Sequence, residues 1–291
     1  MTDIIASLAE VANRYEALFC DLWGCVHNGV EPFPAAVAAL QAYRAGGGRV
    51  VLMTNAPRPT PAVIRQLDAM GMPRDVWDVV VSSGDASRAA MIDGAVGTRV
   101  YHLGPAKDES FFTETDDGMD AAHIERVPLD EAEGVVCTGL FDDLTETPED
   151  YRPTLLYAKT RGLKLLCTNP DIVVDLGDER LFCAGAIAQL YEEMGGEAIY
   201  CGKPHPPIYD LARRRLAEGG RPVGDAVLCI GDGVLTDVKG GIGEGLDTLF
   251  ITSGLAAKEF GPDPTAPDAG LLNAWLASHR LSATYAMPAL R

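Results

Sequence analysis

Residues Leu18–Gly29 read LFCDLWGCVHNG. The apolar run that leads into this stretch has the character of a strand buried on both faces, and Asp21 stands where that run ends. A carboxylate at the mouth of a buried strand is well placed to react. Two residues later the chain carries bulky Trp23 rather than a second acid. The fold and the chemistry both turn on which partners the rest of the chain supplies to Asp21.

Outward from this strand, short apolar runs alternate with helix-like segments. PAAVAALQAYRAGG, RVVLMTN, TPAVIRQLDAMGM and VWDVVVSS follow in order, with Thr60 suited to a helix cap, Pro61 to a first turn and Gly71 to an exit. The last third repeats the rhythm: EAIYCG, PPIYDLARRRLAEG, DAVLCIGDG, a short helix after Thr236, then DTLFITSG. Such alternation predicts parallel strands with crossover helices, and the two outer parts are expected to share one doubly wound sheet. Between them TRVYHLG, EGVVCTG, YRPTLLYAKTRG and LKLLCTN alternate again, which makes more strands than one open sheet usually carries. The expected organisation is a core formed by residues 1–83 and 198–291, interrupted by an inserted α/β domain over 84–197. The acid-rich KDESFFTETDDGMD and FDDLTETPED within the insert read as solvated loop.

At 291 residues and 47% hydrophobic, the chain can bury a substantial core. A net charge of -18 repels polyanions and speaks against a nucleic-acid partner. The first residues, MTDIIASLAEVANRYEAL, mix charge into apolar positions and read as an amphipathic helix rather than a secretory signal. No apolar run approaches the ~20 residues of a membrane span, so no membrane partner and a cytoplasmic setting are expected. The seven cysteines are scattered through apolar runs, as small buried hydrophobes are in a reducing compartment. C-x-x-C, H-E-x-x-H, the phosphate-loop signature and G-x-S-x-G are all absent.

In open parallel sheets, ligands bind beyond the carboxyl ends of the strands. Asp21 after ALFC, Thr54 and Asn55 after VVLM, Lys203 after IYCG and Asp232 after AVLCIG are all read at such ends of a single sheet, and Asp237 follows five residues after Asp232. Taken singly, each has a plain structural role open to it. Asp21, Asn55 or Asp232 can cap the next helix, Thr54 can satisfy a strand end, Lys203 can sit on the surface and Asp237 can occupy a helix's first turn. Taken together, a hydroxyl, a lysine and three carboxylates suit a metal and a phosphate. Asp21 can attack phosphorus to form a covalent intermediate. Asp21 and Asp232 can hold Mg²⁺, Lys203 and Thr54 can bind the phosphate oxygens, and Asp237 can orient Lys203 or a metal-bound water.

Asp21 in CDLWGCVHNG, Thr54 in LMTNAP, Lys203 in GKPHPPIY and Asp232 with Asp237 in GDGVLTDVKGG resemble, in order, the four motifs of the haloacid dehalogenase (HAD) superfamily. VHNG after the first motif, TN in the second, the long insert, TNPD at Thr168–Asp171 and GKP resemble its class IIA branch, the p-nitrophenylphosphatase and NagD-like proteins. The resemblance implies a Rossmann-like core and a mobile α/β cap that excludes water and selects a small phosphorylated metabolite. It also implies Mg²⁺-dependent hydrolysis through an aspartyl-phosphate. Asn55, with Asn169, Asp171 and CTGLFDD of the cap, are then candidates to touch substrate, or else they build turns. Cap surfaces can mediate a homodimer, which nothing in the sequence demands.

Trp23 departs from that pattern. Phosphatases of the family carry an acid there that protonates the leaving group and activates water. An indole cannot do so, although the Trp23 carbonyl can still be a metal ligand. Three readings follow: a phosphatase that relies on a good leaving group or borrows His27; a metal-independent, dehalogenase-like hydrolase acting at carbon; or a phosphate-ligand binding protein with slow turnover. A dinucleotide-binding protein is the remaining alternative, but GDGVLT lacks the third glycine of G-x-G-x-x-G and begins late in the chain.

Overall fold

The computed structural model describes residues 1–116, 118–176, 179–220 and 222–291. Asp117, within the first acid-rich stretch, lies outside the described residues. The chain divides into two compact units. The first comprises Met1–Thr54, Gln66–Val81 and Tyr209–Arg291; the second comprises Asn55–Arg65 and Ser82–Ile208.

Among the described residues, fourteen strands run in chain order: β1 (Asp3–Ile4), β2 (Ala17–Cys20), β3 (Arg49–Thr54), β4 (Val79–Ser82), β5 (Arg99–Leu103), β6 (Glu125–Arg126), β7 (Gly134–Cys137), β8 (Lys164–Cys167), β9 (Val173–Leu176), β10 (Glu179–Phe182), β11 (Glu197–Tyr200), β12 (Val227–Gly231), β13 (Asp247–Ile251) and β14 (Tyr285–Met287). The first unit is built on a seven-stranded sheet in the order β1-β14-β13-β12-β2-β3-β4. Its central strands β2 and β12 are wholly buried, and they pair in parallel with Cys20 opposite Ile230. From β2 the chain winds outward through β3 and β4, and from β12 it winds the other way through β13 and β14. The strand order therefore reverses between β2 and β12, which is the switch point where a doubly wound sheet opens a crevice at its carboxyl edge. Apolar side chains under this sheet include Phe250, Phe260, Leu272 and Leu276, with Trp275 stacked on Phe250.

The second unit holds a fully parallel five-stranded sheet, β11-β8-β7-β5-β6, and an antiparallel β9–β10 pair. Its core gathers Leu103, Val135, Leu155, Leu165, Ile187 and Tyr191. It is an α/β domain inserted between the parts of a Rossmann-like core, the cap of the fold class expected from the sequence.

Three expectations are corrected. EAIYCG does not join the outer sheet: β11 pairs with β8 in the second unit, its edge tied by a Lys164–Glu197 ion pair of 2.7 Å. Lys203 therefore follows a strand of a different sheet from Asp21, Thr54 and Asp232. The N-terminus is not an amphipathic helix. Asp3 and Ile4 add a strand to β14, and Glu10 accepts hydrogen bonds from the Ala6 and Ser7 N–H groups, so that only single turns follow at Leu8–Glu10 and Ala12–Arg14. The stretch KDESFFTETDDGMD is not all solvated loop, because Asp108 and Glu114 are buried, with Arg65 at 2.6 Å from Glu114. No helix among the described residues is long and apolar enough to cross a membrane.

Candidate active site

In the first unit the carboxyl edge of the seven-stranded sheet is acidic. The Asp21 N–H continues the β2–β12 ladder by donating to the Ile230 carbonyl at 2.8 Å, which fixes where its side chain leaves the sheet. Asp232 leaves the end of the neighbouring strand, and each residue is only 9% exposed. Ligating atoms of Asp21, Asp232 and Cys25 all lie within 4.8 Å of one another. Backbone crowds the Asp232 carboxylate from two directions. A Cβ on Gly24 or on Gly254 would fall inside it, and Gly24 sits at φ +76°, which L side chains rarely adopt.

The donor chemistry suits a hard dication. Burial first, then the carboxylates of Asp232 and Asp21, push the Cys25 thiol well above its usual range. The two carboxylates in a tight backbone cradle are hard oxygen ligands of the kind Mg²⁺ takes.

Asp237 lies in the π-turn Val234–Val238 after β12, where it accepts from the Gly233 N–H at 3.1 Å and the Thr236 hydroxyl at 3.5 Å. Its carboxylate folds back over Gly231, leaving no room for a Cβ there. Thr54 ends β3 and is buried. Trp23 is half-buried, with its ring set edge-on to His27 at 5.6 Å and closed from one side by Gly29, where a Cβ would overlap the indole. The glycine of VHNG is therefore a packing requirement of Trp23. His27 is buried, its Nδ1 accepts from the Gly29 N–H at 3.0 Å, and desolvation lowers its pKa to about 4. Burial thus favours the uncharged imidazole, which speaks against it as a substitute acid.

In the second unit the carboxyl edge of the parallel sheet carries Lys203 after β11, Asn169 and Asp171 after β8, and Asn55 from the segment that enters this unit. Lys203 is only 3% exposed and Asn55 only 2%. The Asn55 Oδ1 accepts from the Lys203 N–H at 2.8 Å, while its Nδ2 donates to the Lys203 carbonyl at 3.1 Å and to Asp171 Oδ1 at 2.9 Å. The amide expected to meet substrate is thus occupied by Lys203 and Asp171. Asn169 Oδ1 accepts from the Asp171 N–H at 3.1 Å, so the TNPD signature forms a side-chain-supported turn. The structure gathers Asp21, Trp23, Thr54, Asp232 and Asp237 in one unit, and Asn55, Asn169 and Lys203 in the other.

Sequence reading missed Arg58 and Asp108. Arg58 Nε lies 3.8 Å from Asp108 Oδ1, and burial raises the Asp108 carboxyl to about 6 despite that guanidinium. No local signal marks Asp108, which is one acid among many in its stretch of sequence.

A doubly wound α/β protein with a hard-ligand carboxylate pair at its switch point is what the fold and this edge define. The chain matches a family model described as haloacid dehalogenase-like hydrolase over residues 18–116, and one described as HAD-hydrolase-like over residues 200–273. A crystal structure of a haloacid dehalogenase-like hydrolase from Brucella suis 1330 is 40% identical, with a TM-score of 0.85 over 99% of this chain and 100% of that one. A 5'-nucleotidase of Bacillus subtilis is 26% identical, covering 84% of this chain and 90% of its own length. A glycerol phosphate phosphatase from Mycobacterium tuberculosis, solved in complex with magnesium, is 25% identical, with a TM-score of 0.63 over 87% of this chain and 74% of that one. The chain belongs to the haloacid dehalogenase-like hydrolases.

Proposed function

We propose that the protein is a Mg²⁺-dependent phosphatase of small phosphorylated metabolites, acting through an aspartyl-phosphate on Asp21. The observation that carries this reading is the Asp21–Asp232 pair, two buried carboxylates within ligand distance of each other at the reversal of strand order. The names of the Bacillus nucleotidase and the Mycobacterium phosphatase support phosphomonoesters as the substrate class, and the magnesium in the latter supports the metal.

Asp21 attacks phosphorus with one carboxylate oxygen, and the ester oxygen leaves with the bond's electron pair. Water then cleaves the acyl phosphate and restores the carboxylate. Lys203 and Thr54 bind the remaining phosphate oxygens, and their positive charge and hydroxyl oppose the repulsion between two anions. Asp21, Asp232 and the Trp23 carbonyl would hold the cation, which when bound would neutralise phosphate charge. Asp237 orients the polar groups beside Asp232. Residues 84–197 form the cap, which carries the candidate substrate residue Asn169, between core segments 1–83 and 198–291.

With Trp23 in place of an acid and His27 unprotonated, the leaving group departs without a proton from either residue. The preferred substrates are therefore those whose leaving groups are stable as anions, such as aryl or acyl phosphates. The test is a panel of aryl, acyl, sugar and nucleotide phosphates assayed with and without Mg²⁺. Turnover is expected on aryl and acyl phosphates only with the metal, and to fall at least ~10³-fold in Asp21→Asn, since the nucleophile itself is removed. Hydrolysis that survives this substitution would overturn the nucleophile assignment. Halide release from haloacids without metal would favour the dehalogenase-like reading, and metal binding without turnover across the panel would favour the binding-protein reading.

A further inference from the structure

We propose that Asn55 is a positioning residue: its amide, oriented by Asp171, holds the Lys203 peptide in the place from which the lysine reaches phosphate. The inference rests on the reading of Lys203 as a phosphate ligand. One planar side chain engages both main-chain groups of Lys203, accepting from its N–H at 2.8 Å and donating to its carbonyl at 3.1 Å, much as a neighbouring strand would. Asn55 thus takes the part of a strand partner for the Lys203 peptide.

Asp171 decides which way the amide faces. An ionised carboxylate accepts and never donates, so the group 2.9 Å from Asp171 Oδ1 must be the NH₂ end of Asn55. That leaves Oδ1 toward the Lys203 N–H, which can only donate. Asp171 is in turn fixed by the Asn169 turn, and Gly185 packs without room for a Cβ against the Pro170 and Asp171 carbonyls. Gly202 closes over the other side of the amide, where a Cβ would lie 2.6 Å from Asn55 Oδ1 and 2.5 Å from the buried Ser83 hydroxyl.

The geometry explains the side-chain type. Aspartate at position 55 has no donors for Asp171 and the Lys203 carbonyl, glutamine is a methylene too long, and an apolar residue leaves three buried polar groups without this partner.

The test exchanges donor and acceptor. Asn55→Asp places a carboxylate against Asp171 and is expected to raise both the KM for an aryl phosphate and the inhibition constant of inorganic phosphate about tenfold. Asp171→Asn alone still offers an acceptor to Asn55 and is expected to cost less than about threefold. In the double variant the amide introduced at position 171 donates to the carboxylate introduced at 55, while the Lys203 carbonyl still lacks its donor, so part of the lost phosphate affinity, about threefold, should return, with the Mg²⁺ dependence unchanged throughout. A general loss of packing would not be rescued by a second substitution. Lys203→Ala separates the two levels: wild-type turnover in that variant overturns the role of the lysine itself. If Lys203→Ala is inactive while Asn55→Asp binds phosphate as the parent does, or while the double variant is no better than Asn55→Asp, the positioning role is overturned. Should Asn55→Asp fail to fold, Asn55→Ser, which shortens the side chain, is expected to show the same rise in the inhibition constant, and its absence overturns the proposal.

Discussion

Two parallel sheets in this protein present their carboxyl edges in opposite chemical character. The seven-stranded sheet ends in buried carboxylates, Asp21 and Asp232 with Asp237 beside them, and backbone glycines press against them. The five-stranded sheet ends in Lys203 and the Asn169 turn, joined by Asn55 from the segment after β3, a set rich in donors and amides, with Asp171 spent on orienting one of them. One edge suits a hard cation, and the other suits an anion. The two edges thus differ in the charge of the ligand each one suits.

The sharpest way to break that comparison is to add one methyl group to each edge. Gly254→Ala drives a Cβ into the Asp232 carboxylate. It is expected to cost about 1–3 kcal/mol in urea unfolding and to raise the Mg²⁺ concentration needed for half-maximal activity by up to a hundredfold. Gly202→Ala presses instead on Asn55 and Ser83. It should weaken inhibition by inorganic phosphate several-fold and leave the Mg²⁺ dependence alone. Identical responses in both assays would mean that the edges do not differ in this way.

A smaller change sharpens the acidic edge. Trp23→Asp supplies the missing proton donor, and kcat on alkyl phosphates should rise about tenfold, short of the ~10²- to 10⁴-fold that a well-placed acid gives. The shortfall arises because the indole packs on His27 and Gly29 and its removal loosens that loop. No gain in a variant that still folds and binds Mg²⁺ would mean that an acid at this position does not limit turnover.

The smallest expected effect belongs to the second unit. His102 lies 2.9 Å from the Thr138 hydroxyl and edge-on to Phe112, and desolvation first, then Arg126, lower its pKa to about 4, with Glu109 pulling weakly the other way. Between pH 6.5 and about 4 the unfolded chain binds a proton that the folded chain refuses, so stability is lost as pH falls through that window. His102→Gln should shrink the difference in unfolding free energy between about pH 7 and about pH 5 by about 1 kcal/mol, a figure reduced for the ring's partial exposure to solvent. Asp108, whose carboxyl is raised to about 6, acts in the opposite sense over much of the same window but is common to both proteins compared.

Much of the acidic edge was legible in the sequence because its residues follow long apolar runs directly. ALFC and VLCIG are continuous, buried strands, and the residues immediately beyond them had to be the ones at the crevice. The other edge was read less well. β11 has the sequence EAIY, which is short and edge-like, and nothing in it says whether it pairs with β8 or with the outer sheet. Asn55 was visible beside Thr54, but its partners are 116 and 148 residues away and no local pattern names them. Asp108 was lost among exposed acids for the same reason, since burial is decided by what packs on a residue.

The sequence by itself determined the alternation of strands and helices, the doubly wound core with its insert, and the order of Asp21, Thr54, Lys203, Asp232 and Asp237 along the chain. These are set by hydrophobic runs, turn residues and spacing, which act over a few neighbours. Tertiary structure alone decided that Lys203 ends a strand of a different sheet from Asp21 and that Asn55 is turned toward Lys203 rather than left free for a ligand. It also decided that His27 is held neutral. Strand pairing, the orientation of an amide and the loss of water around an imidazole all depend on groups remote in sequence, so no stretch of the chain could state them.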